Sequence, residues 1–221
     1  MMAAAAIIAA GGRGDRAGGP KQFSLLRGRP LLAWCADLLA PYCPKLVIAA
    51  PAEHLDRARA ALESHPGVLV VPGGDSRQES VARALEVVEA ALVLVHDGAR
   101  PLAGPALVER VLAALAAGAR AVVPVLPIDE TLKRAEQDRV LTTLDRSRLV
   151  CVQTPQGFDT AVLAEAHARA ASDGFCGPDD AALVERLGHE VVTVPGERAN
   201  LKVTFPEDLE LAEAYAAARW S

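Results

Sequence analysis

Short apolar runs alternate with amphipathic stretches through the first half of the chain. The opening stretch, Ala3–Lys21, reads AAAAIIAAGGRGDRAGGPK, and its uncharged run centred on Ile7 and Ile8 predicts a strand buried on both faces. Further short strands are predicted over Lys45–Ala50, Val68–Val71, Leu92–Val95 and Ala121–Val125. Helices fill the gaps. One has Pro30 in its first turn and Leu31, Leu32, Leu38 and Leu39 as its stripe, and others cover Glu53–Ser64 and Pro105–Ala117. Over Arg77–Glu89, Val81, Ala84, Leu85 and Val88 fall at i, i+3, i+4 and i+7. This alternation predicts an α/β fold, a mostly parallel sheet with helices on both faces. Right-handed crossovers put the strands' C-terminal ends on one edge, where such sheets bind ligands. The segments Gly12–Lys21, Gly73–Ser80 and His96–Pro101, each following a strand, are therefore expected to converge.

The pattern changes at Leu126. Residues 127–153 carry Thr131, Val140, Leu141, Thr142 and Thr143 among charges, with a turn near Glu136-Gln137-Asp138, and predict a β-hairpin. So little apolar content builds no core, so this arm must lean on its own domain or on a second subunit. Helices over Thr160–Ala171 and Asp179–Leu187 and a strand over Glu190–Val194 return to the main pattern, and Thr204-Phe205-Pro206-Glu207 is a capping-box signature for a last helix ending near Arg219. Without a repeat or a linker, residues 1–221 are expected to form one domain with an arm at about 127–153.

Composition narrows the function. Half of the residues are apolar but only 4% are aromatic, so Ala, Val and Leu must build the core. A formal charge of −5 argues against a general nucleic-acid surface, while leaving room for a small anion where cations gather locally. Cys35, Cys43, Cys151 and Cys176 form no C-x-x-C pair and no zinc spacing, as expected of idle thiols in a reducing cytoplasm. No apolar run reaches about 18 residues, so no membrane span is expected.

The first loop holds Gly11, Gly12, Gly14 and Gly18 with Arg13, Arg16 and Lys21 against a single Asp15. Glycines let backbone N–H groups approach an anion, so this is the make-up of a polyphosphate cradle. It fits the dinucleotide fingerprint poorly, with Ala17 in place of the third glycine and no carboxylate at the tip of the second strand. The P-loop pattern also fails, for want of Gly-Lys-Ser/Thr.

Seven motifs occur in order: Gly12-x-Gly14-x-Arg16-x-Gly18, Pro20-Lys21-Gln22, Gly73 to Val81 (GGDSRQESV), Val95 to Pro101 (VHDGARP), Gln153-Thr154-Pro155-Gln156, Pro178-Asp179-Asp180-Ala181 and Asn200 to Thr204 (NLKVT). Together they resemble the 2-C-methyl-D-erythritol 4-phosphate cytidylyltransferase family of the non-mevalonate isoprenoid pathway. The ribitol-5-phosphate cytidylyltransferases share the same plan. The resemblance implies a Rossmann-like, nucleotide-diphospho-sugar transferase type of domain. It also implies transfer of CMP from CTP to a polyol phosphate with release of pyrophosphate, and Mg²⁺ held mainly by the CTP phosphates.

By the same resemblance, Arg16, Lys21 and Lys202 are the catalytic residues. Ala10, Gly11, Gly12, Gly14, Gly74, Asp75, Arg77, Ser80 and Asp97 bind CTP, Asp97 also lying close to the metal. Arg100, Thr131, Arg146, Thr154 and Lys202 meet the acceptor. The arm is expected to cross to a second subunit, making a cytoplasmic homodimer in which Arg146 serves the partner's site. His96 is expected to be structural. Pro178 stands where the family has a threonine, and no role is assigned to it.

Overall fold

A computed structural model describes residues 4–12 and 20–219. Its main sheet is built from β1 (Ala4–Ala9), β4 (Lys45–Ala50), β5 (Leu69–Pro72), β6 (Leu92–Asp97), β7 (Ala121–Pro127), β10 (Val150–Val152), β11 (Gln156–Asp159) and β12 (Val192–Pro195). The order is β10-β7-β11-β6-β1-β4-β5, with β12 also pairing with β7. β1 lies between β4 and β6, both parallel to it, and its register sets Ala9 beside Ala49 on one side and Asp97 on the other. The chain leaves β1 for β4 and β5 on one side, then returns to β6 on the other. The edge beyond Ala9 and Asp97 is therefore the switch point at which a ligand crevice opens.

The apolar positions of the strands face two layers. Ala4, Ala6 and Ile8 of β1 pack with Leu32, Cys35 and Leu39 of α1 (Leu31–Leu39), Ala58 of α2 (Leu55–Ala61) and Val108, Val111 and Leu115 of α4 (Pro105–Ala116). Ile7 faces the other way. It packs with Val81 and Ala84 of α3 (Arg77–Leu85), Val162 and Leu163 of α5 (Thr160–Ser172), and Leu183 and Val184 of α6 (Asp180–Arg186). This period-two division within one uncharged strand is what burial on both faces requires. A third cluster joins Leu26 of β2 (Leu25–Leu26), Leu31, Leu102, Val203, and Ala212 and Ala216 of α7 (Pro206–Arg219), fastening the end of the chain over its beginning. Among the described residues β2 pairs only with β3 (Arg29–Pro30).

Several elements differ from the sequence expectation. Gln156–Asp159 is a strand, β11, antiparallel to both β6 and β7, so not every strand points the same way. Four residues containing Gly157 carry no readable period. The helix after β5 stops at Leu85 rather than Glu89, and the one expected over Glu53–Ser64 is a 3₁₀ turn, Ala52–His54, followed by α2. Pro30 is the cap preceding α1 rather than its first residue. The last helix is capped by Asp208, whose carboxylate accepts from the N–H groups of Thr204 and Phe205, instead of by a Thr204–Glu207 box. The predicted hairpin is present as β8 (Lys133–Glu136) and β9 (Arg139–Thr143), which among the described residues pair only with each other.

Gly157 has no room for a side chain. A Cβ there would lie 2.5 Å from Val111 Cγ1 and 2.8 Å from Leu115 Cδ1, both on α4. Gly157→Val is expected to overpack this contact by about 2 kcal/mol. Thermal unfolding should show it as a Tm lower by roughly 5 °C.

Candidate functional site

Three loops that leave parallel strands meet at the switch point. After β1, the Ala10 N–H donates to Ala49 O at 2.9 Å, and the Gly98 N–H, just past β6, donates to Ala9 O at 3.0 Å. The loop after β5 is drawn in by the Gly73 N–H on Ala50 O at 2.7 Å. Ser80, in the first turns of α3, stands where two of these loops pass. A Cβ on Gly11 would overlap its Oγ, and one on Gly73 would come within 2.8 Å of it. Glycine is needed at both places for close approach. The hydroxyl donates to Ser76 O at 2.8 Å and accepts from the Gly74 N–H at 3.0 Å. Ser76 caps α3 by accepting from the Glu79 N–H, and Glu79 accepts from the Asp75 N–H. Gln22 closes the first loop by donating to Ala10 O at 2.6 Å.

Asp97, at the tip of β6, is the centre of the charge arrangement. Its Oδ1 accepts from Arg77 Nε at 2.9 Å, and its Oδ2 pairs with Lys202 Nζ at 2.8 Å, with Arg100 Nε at 3.7 Å. Burial opposes its charge, but Arg77, Lys202 and Arg100 together hold the carboxyl far below the usual carboxylate range. Arg77 also donates through Nη1 to Asp180 Oδ2 at 2.6 Å, and Asp180 accepts from His167 Nε2 at 3.0 Å. Three cations thus face two carboxylates and leave one net positive charge. Lys21 Nζ lies 3.1 Å from Thr204 O, two residues from Lys202. Lys21, from the start of the sequence, therefore reaches the segment near its end that bears Lys202.

The segment bearing Lys202 is held by backbone bonds. The Val203 N–H donates to Ala99 O at 2.8 Å, Arg100 Nη1 donates to Asn200 O at 2.8 Å, and the buried Asn200 donates through Nδ2 to Thr154 O at 2.8 Å. Thr154 Oγ1 accepts from the Asp97 N–H at 3.0 Å and lies 3.0 Å from His96 Nδ1. His96 Nε2 faces the Arg100 carbonyl at 3.1 Å and so must carry the proton, which leaves Nδ1 to accept from the threonine hydroxyl. His96 is therefore a neutral, fully engaged strut, its pKa lowered by burial to about 4.

Two kinds of chemistry fit this cleft poorly. Cys35 reaches Asp97 O through its thiol, but burial pushes its pKa up to about 12, so it is no thiolate nucleophile. A protein-held metal also fits poorly, because both Asp97 oxygens already face cations. Among the described residues no group of three or more His, Cys, Asp or Glu could hold an ion.

Arg77, Arg100, Thr154, Asp97 and Lys202 all belong to the cluster, and Ala10, Gly11, Gly12, Lys21, Gly74, Asp75 and Ser80 lie in the loops and elements around it. Thr131 and Arg146 do not join it. Both are exposed on the arm, and neither side chain bonds to another described residue. Gly14 and Arg16 lie outside the described residues. Asp180, His167, Gln22 and Asn200 were not expected to have roles. Asp180, Gln22 and Asn200 each lie within one of the seven motifs, but spacing alone does not show that Asp180 meets an arginine 103 positions away.

A glycine-bordered, cation-lined crevice at the switch point of a mostly parallel sheet is the arrangement that an α/β enzyme of the nucleotidyl-transfer class needs, charge and positioning rather than a covalent nucleophile. The chain belongs to the 2-C-methyl-D-erythritol 4-phosphate cytidylyltransferase family, whose model matches residues 4–218. It is 44% identical over 213 residues to the 2-C-methyl-D-erythritol 4-phosphate cytidylyltransferase of Deinococcus radiodurans, covering 95% of this chain and 88% of that one. It is 45% identical over 227 residues to a bifunctional IspD/IspF enzyme of Solidesulfovibrio magneticus. That match covers 95% of this chain and 56% of the relative's length. The crystal structure of the cytidylyltransferase of the same description from Thermus thermophilus has a TM-score of 0.83 at 41% identity, covering 98% of this chain and 100% of that one.

The neutral state of His96 sets a pH dependence. Between pH 6.5 and 4 the unfolded chain takes up a proton that the folded chain refuses, so stability is full above 6.5 and declines as pH falls toward 4. The slope is about 1.4 kcal/mol per pH unit for one such group. Denaturant unfolding at several pH values should show this slope, and His96→Gln should flatten it by about one proton's worth.

Proposed function

We propose that the chain transfers CMP from CTP to the phosphate of 2-C-methyl-D-erythritol 4-phosphate. The products would be 4-diphosphocytidyl-2-C-methyl-D-erythritol and pyrophosphate, in non-mevalonate isoprenoid precursor synthesis. The observation that carries this reading is that Lys21, from the start of the sequence, bonds to the backbone of the segment near its end whose Lys202 pairs with Asp97. An oxygen of the acceptor phosphate attacks the α-phosphorus in line. A new P–O bond forms, the bond to the β-phosphate's bridging oxygen breaks, and pyrophosphate leaves with that electron pair. Negative charge grows on the five-coordinate centre and on the leaving group, so fixed cations lower the barrier without a covalent nucleophile.

Arg16 and Lys21 hold the triphosphate in this reading, and Lys202 exchanges Asp97 for the α-phosphate. Gly11, Gly12 and Gly14 of the first loop meet the nucleotide, together with Gly74, Asp75 and Arg77, while Ala10, whose N–H is held by Ala49 O, and Ser80, whose hydroxyl is held by Ser76 and Gly74, act as the frame behind them. Asp97 keeps the cations in register rather than binding metal. Mg²⁺ travels on the phosphate oxygens of CTP, in keeping with its preference for phosphate and water ligands. Arg100 meets the acceptor, completed by Thr131 and Arg146 from the arm of a second copy, while Thr154, its hydroxyl engaged by His96 and Asp97, supports the site from behind. Support for that homodimer comes from Val140, Leu141, Leu149, Val150 and Val152, large apolar side chains left exposed on and beside the arm. Among the described residues no helix is long and apolar enough to cross a membrane, and a cytoplasmic site suits four free cysteines.

Pyrophosphate release with CTP and Mg²⁺ should be seen with 2-C-methyl-D-erythritol 4-phosphate. Turnover confined to ribitol 5-phosphate would overturn the choice of acceptor. Lys21→Ala should lower kcat by a factor on the order of 10² to 10³, as loss of one transition-state donor does elsewhere, with Tm unchanged. Arg146→Ala should raise KM for the acceptor more than for CTP. Mixed dimers of the Arg146→Ala and Lys21→Ala chains should regain activity, because one of their two sites is then intact. Formed heterodimers without activity would rule out the crossing.

A further inference from the structure

Two of the three guanidinium nitrogens of Arg77 are gripped, Nε by Asp97 at 2.9 Å and Nη1 by Asp180 at 2.6 Å, and the third, Nη2, is buried without a hydrogen-bond partner among the described residues. A guanidinium placed only to stabilise the fold would be expected to have its buried nitrogens paired. The two acids are not equivalent. Asp97 is shared with Lys202 and Arg100, whereas Arg77 is the one Lys or Arg paired with Asp180 among the described residues. Asp180 is 1% exposed, opens α6, and is steadied from α5 by His167, which is itself buried. The His167 ring donates through Nε2 to Asp180 Oδ1 and leaves Oδ2 for Arg77.

We infer that Asp180, steadied by His167, is a positioning residue that clamps Arg77 and fixes its guanidinium in the orientation that nucleotide binding requires. The inference rests on the proposed reading of the crevice as a CTP site. Its physical reason lies in what happens to Asp97 during turnover. When Lys202 leaves Asp97 for the incoming phosphate, the balance of charge around that carboxylate changes. An arginine held by Asp97 alone would be free to swing toward the phosphates. Asp180 sits on the far side of the guanidinium with no other Lys or Arg to serve, so its hold does not depend on where Lys202 is. Two acids on two different nitrogens also stop the planar group from rotating.

The test is steady-state pyrophosphate release by the full chain, with CTP and acceptor varied separately. Asp180→Asn should raise KM for CTP about tenfold, the size of one weakened charge-assisted hydrogen bond, and leave KM for the acceptor unchanged. Combining it with Arg77→Ala should cost no more than Arg77→Ala alone, because the clamp has nothing left to hold. Equal losses for both substrates, or full additivity with Arg77→Ala, would show Asp180 to be structural and overturn the inference. Should Asp180→Asn fail to fold, His167→Phe carries the test, since it removes only the donor behind Asp180. A smaller rise in KM for CTP that vanishes in the Arg77→Ala background supports the clamp, and an unchanged KM overturns it. Wild-type chain without CTP turnover would instead overturn the proposed function, and this inference with it. That outcome is read before any variant is made.

Discussion

Nearly everything at the crevice follows from one buried carboxylate. Taking Asp97 out of water carries a desolvation cost of several kcal/mol, which only close opposite charge can offset. Arg77, Arg100 and Lys202 supply that charge from three separate parts of the chain. The ion pairs need the loops after β6, before α3 and before α7 to lie together, and the backbone bonds of Ala99, Asn200 and Thr154 keep them there. A side chain whose own position is secured by the strand register thereby organises cations that an incoming polyanion will use.

Close approach of backbones is the second constraint. Gly11 and Gly73 pass so near Ser80 that a methyl group on either would strike its hydroxyl, and Ala10 and Gly98 are bonded directly to strand carbonyls. The hydroxyl of Ser80 is already committed to Ser76 and Gly74, so its evident part is to brace the crossing loops. In the proposed reaction Gly11 and Gly12, which follow directly on the strand that Asp97 flanks, would meet the base and ribose. The arm shows the opposite economy. Among the described residues its strands β8 and β9 pair only with each other, and it exposes apolar side chains that the proposed second copy would cover.

Much of the fold was legible because its signals are local. Buried parallel strands are short apolar runs, and the surface helices between them carry a 3.6-residue stripe, so β1, β4, β6, α3 and α4 could be placed from the pattern. β11 was missed because four residues with a glycine in the middle have no period, and its pairing to β6 and β7 is decided at long range. Thr154, Arg100 and Lys202 were assigned by resemblance, and the structure adds the bonds that bring them to Asp97.

By itself, then, the sequence determined the alternation of strands and helices, the glycine-rich first loop with its cations, and the common edge on which the loops had to meet. Only the tertiary structure decided which charges pair. Asp180 is drawn to Arg77 and His167, Lys21 to the Thr204 carbonyl, and His96 is held neutral between Thr154 and Arg100. The physical reason is one of range. Hydrophobic periodicity is written within a dozen neighbouring residues, whereas the electrostatic energy of a buried group depends on whatever the completed fold sets within a few ångströms of it.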